Sequence, residues 1–144
     1  MSSRRPRRSG ELMKFGVYIP VDLAEELKKL AESLRVKSRS KLLQEALRLY
    51  ILENKWSVAD EVAGSIGILY NHEVRGVDEE LTDVQHEFLD IIVSALHVHL
   101  DKERCMLIIA IRGASSRVRE LVSKVNNLKG VVLVRPMLLA ISRG

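Results

Sequence analysis

The stretch LHVHLDKERCMLIIAIRG, residues 96–113, alternates apolar and polar residues, crosses four charged residues and then becomes almost entirely apolar. LHVHL has the two-residue period of a half-buried strand, and DKER is typical of a turn. The run from Cys105 to Gly113 has the composition of a strand buried at the centre of a sheet. The stretch therefore predicts a β-hairpin whose second strand lies inside the sheet.

The residues before this hairpin predict a strand and then a helix. VAGSIGILY, residues 62–70, has the length and composition of a strand. VDEELTDVQHEFLDIIVSAL, residues 77–96, carries apolar residues at helical spacing, among them Val77, Leu81 and Val84. We therefore expect one helix to fill residues 77–96 and to lead directly into the hairpin.

The residues after the hairpin predict a second helix and a last strand. Residues 114–130 return to helical spacing and end in Gly130, a residue typical of a helix C-terminus. Residues 131–142 form the last strand, and Pro136 indicates that it is bent or lies at an edge. The order β-α-β-β-α-β predicts a ferredoxin-like fold with both helices on one face of the sheet, so that another subunit must cover the other face.

A smaller unit occupies the first part of the chain. MKFGVYIP, residues 13–20, alternates like a short strand that ends at Pro20. One face of this strand carries the apolar residues Phe15, Val17 and Ile19. The other face carries Lys14, Gly16 and Tyr18. Two amphipathic helices follow, and the second begins at its cap Ser38 and runs to about Lys55. A single strand and two helices cannot close a core, so we expect two copies to pair.

The positive charge of the chain lies in this first unit. Residues 1–60 contain 13 Lys and Arg against 8 Asp and Glu, or +5, whereas residues 61–144 contain 10 against 11, or −1. A small basic unit predicts contact with a polyanion. Strands paired between two copies would fit the major groove of DNA. The free amides after Ser38 form an anion site, with Arg39, Ser40 and Lys41 around them.

These features resemble the ribbon-helix-helix family of DNA-binding dimers. The resemblance implies that the outward strand residues read bases and that the start of the second helix holds a phosphate. The implied DNA-binding residues are Lys14, Gly16, Tyr18, Ser38, Arg39, Ser40 and Lys41. The implied partner is a double-stranded DNA operator.

The hairpin concentrates metal-binding side chains. The chain has four histidines and one cysteine, and three of these five residues lie between His97 and Cys105. Residues two apart on a strand face the same side, and the turn returns Cys105 near the level of His97 and His99. Two imidazoles and a thiolate suit nickel, copper or zinc rather than magnesium or calcium. A half-exposed histidine pair beside a core cysteine remains an alternative interpretation at this point.

His86 extends the pattern to H-x10-H-x-H-x5-C. On a β-α-β-β-α-β domain that follows a ribbon-helix-helix unit, this spacing resembles the nickel-responsive transcriptional regulators from residue 13 onward. The resemblance implies that His97, His99 and Cys105 of one subunit, with His86 of a neighbour, hold one Ni(II) per subunit in a square plane. It also implies a homotetramer built as a dimer of dimers. Tyr70 and His72 match family positions near the metal pocket.

We therefore expect an α+β protein with a basic disordered tail (1–12), a ribbon-helix-helix domain (13–55), a linker (56–61) and an ACT-like domain for metal binding and tetramerisation (62–144). Its expected function is that of a nickel-responsive, DNA-binding transcriptional regulator that acts as a repressor. The alternative is a ribbon-helix-helix regulator that senses an amino acid or another small molecule, because the second domain also resembles the amino-acid-binding regulatory module.

Two further expectations concern catalysis and location. Protein ligands that fill a square plane leave no open position for a substrate, so an enzyme is not expected. No apolar run approaches the roughly 18 residues that a membrane-spanning helix needs, and no apolar segment follows the basic N-terminus as it would in a secretory signal. We expect a soluble cytoplasmic protein without membrane contact.

Overall fold

The computed structural model describes residue 10 and residues 12–141. Contacts divide the chain into two compact parts between Gln44 and Glu45, a boundary that lies inside the second predicted helix. We call residues 12–55, with both helices, the first unit and residues 56–141 the second unit. The predicted disordered tail lies almost wholly outside the described residues. Within the described part, no helix combines the length and the apolar character that a membrane span requires.

The first unit contains the two predicted helices. Helix α1 covers Val21–Ser33, and helix α2 covers Arg39–Lys55 and so ends where the sequence predicts. Residues 12–20 have no regular secondary structure in the single chain, although a strand is predicted there. A strand needs a hydrogen-bonded neighbour, and the predicted neighbour is a second copy. That strand therefore stays a prediction.

The turn between the helices has a defined geometry. The Arg35 amide donates to the Glu32 carbonyl (3.1 Å) and the Val36 amide to the Ala31 carbonyl (2.9 Å), which is the Schellman pattern of a helix C-terminus. Arg35 takes the left-handed conformation that this pattern requires, with φ 55°. At the start of α2, the Ser38 hydroxyl accepts a hydrogen bond from the Lys41 amide (3.2 Å), as its predicted capping role demands.

The first unit has no core of its own. No residue of α1 or α2 is buried. Leucines on their apolar stripes stay about half exposed: Leu23 at 54%, Leu30 at 55% and Leu47 at 49%. Exposed apolar stripes of this extent favour association with another surface.

The second unit is the predicted four-stranded domain. A short 3-10 helix, Trp56–Val58, precedes it. Its elements are β1 (Glu61–Asn71), α3 (Val77–Glu87), β2 (Ile92–His99), β3 (Arg104–Ala114), α4 (Ser115–Asn126) and β4 (Val131–Ala140). The sheet order is β2-β3-β1-β4 with every neighbouring pair antiparallel, which is the ferredoxin-like arrangement. Pro136 lies in β4 at an edge of the sheet, as expected.

The core lies between one face of the sheet and the two helices. The sheet contributes alternate residues of the central strands, and the helices contribute Val77, Leu81, Val84, Val118, Leu121 and Val125. The opposite face of the sheet carries apolar side chains that remain exposed in the single chain, among them Leu133 (56%), Met137 (58%) and Leu139 (55%). One face is therefore packed and the other is apolar but open.

Two boundaries differ from the sequence prediction. The helix predicted over residues 77–96 ends at Glu87, and residues from Ile92 belong to β2. The apolar residues at 92–96 fit the helical period as well as the strand period. Pairing with β3 decides for the strand, because it supplies hydrogen bonds to the backbone N–H and C=O groups of this segment. Gly130 is not the helix cap, because α4 ends at Asn126. It lies in the following turn with φ 98°, where a Cβ would overlap the side chain of Val74.

Replacing Arg35 with glycine should stabilise the protein. An L-residue in the left-handed region carries a penalty of roughly 1–2 kcal/mol. Glycine removes this penalty, but it also raises the conformational entropy of the unfolded chain, which offsets part of the gain in stability. We expect Arg35→Gly to raise the free energy of unfolding by about 0.5–1 kcal/mol, measured by thermal denaturation at fixed protein concentration. Arg35→Ala is the control because it keeps the left-handed strain. An equal gain in both variants would contradict this interpretation.

Candidate metal centre

The pairing of β2 with β3 brings the predicted donors together. His99 lies opposite Cys105, and His97 lies opposite Leu107. Paired residues of an antiparallel ladder point to the same face, so the two imidazoles and the thiol share the helix-covered side of the sheet. One nitrogen from each histidine and the cysteine sulfur lie within 4.8 Å of one another. His99 Nδ1 is 3.3 Å from Cys105 Sγ.

This donor set fits a borderline-soft transition ion. Nitrogen and sulfur donors about 2.0 and 2.3 Å from a shared ion lie about 3 Å apart at a right angle, which is close to the His99–Cys105 separation. Cys105 is 1% exposed, whereas both histidines are exposed. The cluster is therefore anchored in the core on its sulfur side and open on its imidazole side.

The turn that returns the chain to Cys105 is held by Asp101. Its carboxylate accepts hydrogen bonds from the backbone amides of Glu103 (3.0 Å) and Arg104 (2.7 Å) and pairs with the Arg104 guanidinium (2.6 Å). The Arg104 side chain, together with these amides, lowers the pKa of Asp101 to about 2. The carboxylate is therefore ionised at neutral pH and keeps the hairpin turn closed.

Tyr70 connects the donor cluster to helix α3. Its hydroxyl donates a hydrogen bond to Asp78 Oδ1 (3.0 Å) and lies 2.8 Å from His97 Nε2. Burial, followed by the hydrogen bond to Asp78, raises the pKa of Tyr70 above its ordinary range, so the hydroxyl keeps its proton. Sequence reasoning missed Asp78, because nothing in the local pattern distinguishes it from the other acids in the first turn of a helix.

His86 does not join the cluster within one chain. It lies in the last turn of α3, exposed, about 200° around the helix from the buried Val84. That end of α3 is fixed by Arg117, which donates to the Glu87 carbonyl (2.8 Å) and stacks on Phe88 at 4.0 Å. His86 therefore points away from its own core.

His72 lies beside the hairpin rather than in the donor cluster. Its Nε2 contacts the Lys102 carbonyl, and its backbone amide donates to the Glu103 carbonyl (2.9 Å). These contacts join the end of β1 to the turn before Cys105.

The predicted DNA-binding residues are all exposed. Lys14, Gly16 and Tyr18 lie in the segment before α1. The second set lies at the start of α2, where Ser38 already caps the Lys41 amide: Ser38, Arg39, Ser40 and Lys41. The remaining free amides of this first turn and its two cations form a surface that can accept a phosphate.

Comparison with known proteins agrees with both units. The family described as "Ribbon-helix-helix protein, copG family" matches residues 13–53, and the family described as "NikR C terminal nickel binding domain" matches residues 63–139. The chain belongs to the family of nickel-responsive regulators. The expected α+β fold, with a ribbon-helix-helix domain followed by this domain, is thereby confirmed. The family is one of transcriptional regulators rather than enzymes.

Similar proteins occur in bacteria and archaea. A protein of Dictyoglomus thermophilum is 41% identical over 84% of this chain and 90% of its own length. One from Pyrococcus abyssi is 38% identical over 84% and 88% of the two chains, and one from Methanocaldococcus jannaschii is 39% identical over 87% and 90%. Each is named "Putative nickel-responsive regulator". These proteins resemble the present chain across both units.

Nickel bound at the His97–His99–Cys105 cluster should be detectable by absorption spectroscopy. Titration with Ni(II) should produce a thiolate-to-metal charge-transfer band in the near ultraviolet, because the cysteine sulfur is one of the donors. Cys105→Ser should lose this band. His72→Ala is the matched control, and it should keep the band because His72 contacts the turn and not the cluster. A band that survives in Cys105→Ser would exclude the cysteine from the site.

Proposed function

We propose that this protein is a nickel-responsive repressor whose DNA affinity is controlled by metal bound between subunits, one ion per chain. The convergence of His97, His99 and Cys105 on one face of the β2–β3 hairpin carries the proposal. Three donors of suitable chemistry lie within reach of a common ion, inside the domain that matches a nickel-binding family. The basic first unit supplies the DNA-binding surface.

His86 of a neighbouring copy completes the donor set in this proposal. Two observations support this. The three-donor cluster is open to solvent on its imidazole side, and His86 is exposed and directed away from its own core. A residue in this position is accessible to a second copy.

The open face of the sheet supports assembly into a tetramer. Exposed apolar residues of β4 lie on the face of the sheet that the helices do not cover. A second sheet can cover such a face. The first unit lacks a core and is expected to dimerise separately through its strand and helices. Two different dimer contacts per chain generate a dimer of dimers.

Control of DNA binding requires that metal bound in the second unit affects the first unit, which holds the DNA-binding surface. When bound, nickel supplies bonds to donors of two chains at once. The ligand residues of one chain then keep a fixed position relative to α3 of the other. Assemblies ordered in this way hold their DNA-binding units in a narrower range of spacings. A coupling of about 1–3 kcal/mol is typical of such linkage and corresponds to roughly 5- to 150-fold in affinity.

A complementation experiment tests the shared site. His86→Ala chains retain the three-donor cluster, and Cys105→Ala chains retain His86. If the donors come from two chains, co-expressing the variants restores complete sites at about a quarter of the positions under random pairing. Nickel retained against a competing chelator, at a concentration where neither variant alone holds the ion, is the readout. Absence of recovery in a mixed assembly would place all donors in one chain and contradict the proposal.

A salt titration tests the phosphate site. Lys41→Ala should weaken binding to every duplex by a similar factor. It should also reduce the slope of log affinity against log salt by about 0.9 for each phosphate that the lysine neutralises in the wild-type complex. Lys129→Ala is the matched control, because this exposed lysine lies in the second unit. Equal slopes for Lys41→Ala and the wild type would remove Lys41 from the DNA interface.

A further inference from the structure

The hydroxyl of Tyr70 lies between two groups that compete for its single proton. Asp78 Oδ1 is 3.0 Å away and His97 Nε2 is 2.8 Å away. An ionised carboxylate can only accept a hydrogen bond, whereas a neutral imidazole nitrogen either donates or accepts according to its tautomer. The arrangement of protons along Asp78, Tyr70 and His97 is therefore constrained by geometry.

Only one arrangement satisfies both contacts. If His97 carries its proton on Nδ1, then Nε2 is an acceptor, and Tyr70 can donate to Asp78 or to His97 but not to both. If His97 carries its proton on Nε2, it donates to the Tyr70 oxygen, and Tyr70 donates to Asp78. The first arrangement places two acceptors opposite each other at one of the contacts, which costs free energy at these distances. The second arrangement gives each contact one donor and one acceptor.

We propose that Asp78, acting through Tyr70, holds His97 in the Nε2-protonated tautomer and so presents the free Nδ1 to the metal. Asp78 and Tyr70 are positioning residues in this account and not ligands. The inference rests on the proposed role of His97 as a donor. It adds which nitrogen binds and which residues select that nitrogen.

Three features of the fold support this chain of hydrogen bonds from Asp78 through Tyr70 to His97. Tyr70 is 2% exposed and lies in the central strand β1, opposite Cys105, so its ring has little freedom. Asp78 lies in the first turn of α3, where the helix dipole stabilises a carboxylate. Leu107, the cross-strand neighbour of His97, offers no polar group to the imidazole. Outer hydrogen bonds of this kind orient metal-binding histidines in general.

The test uses the metal-free full-length protein and nitrogen NMR of its histidine side chains in alkaline buffer, where imidazoles are neutral. His97 should show the Nε2-protonated tautomer in the wild type. In Asp78→Ala, Tyr70 loses its acceptor and becomes free to donate to Nε2, so His97 should shift toward the Nδ1-protonated tautomer. Asp78→Asn keeps a carbonyl acceptor and should retain the wild-type tautomer. Glu79→Ala, a neighbouring exposed acid on the same helix, is the matched control and should also retain it.

Nickel affinity supplies a second readout. Asp78→Ala should bind nickel about 10- to 100-fold more weakly, as for the loss of an outer hydrogen bond, while Asp78→Asn recovers most of the affinity. An Nδ1-protonated His97 in the wild type would overturn the proposal. So would an unchanged tautomer or unchanged nickel affinity in Asp78→Ala. A wild-type protein that binds no nickel would instead refute the proposed function, and the tautomer measured in the metal-free protein would still be decided independently.

Discussion

The candidate metal centre depends on the register between β2 and β3. Because His99 pairs with Cys105, the two histidines lie on the same face as the thiol. The turn held by Asp101 favours this pairing. A slip by one residue would turn both imidazoles to the opposite face of the sheet. Ile92, which packs against the core at one end of β2, and the Asp101 turn at the other end oppose such a slip. The same packing that stabilises the domain therefore fixes the donor geometry.

Neither unit of the chain is complete by itself. The first has amphipathic helices without a buried residue, and the second has an apolar sheet face and an exposed His86. In the proposed assembly, association with further copies removes both deficits. A metal site shared between chains then becomes a means of selecting one assembly among several, because its donors meet only when the chains are correctly opposed. In the proposed function, this selection links metal coordination to DNA binding.

Sequence patterns predicted much of this organisation for identifiable reasons. The apolar run after Cys105 has the composition of a central strand, and the H-x-H spacing places both histidines on one face of a strand. The end of α3 was predicted wrongly because Ile92 and Leu96 fit a helical stripe as well as a strand, and only pairing with β3 decides between them. Asp78 could not be found from sequence, because its partner Tyr70 lies in another element and their contact arises from packing.

In the proposed function, metal at the His97–His99–Cys105 cluster and DNA at the first unit are energetically linked. The most direct test is a closed thermodynamic cycle on a duplex selected for nickel-dependent binding, with DNA affinity measured with and without nickel, and nickel affinity measured with and without DNA. We expect each ligand to raise the affinity for the other by the same factor, because thermodynamic linkage requires it. A nickel affinity that is identical in free and DNA-bound protein, with DNA affinity insensitive to nickel, would contradict it.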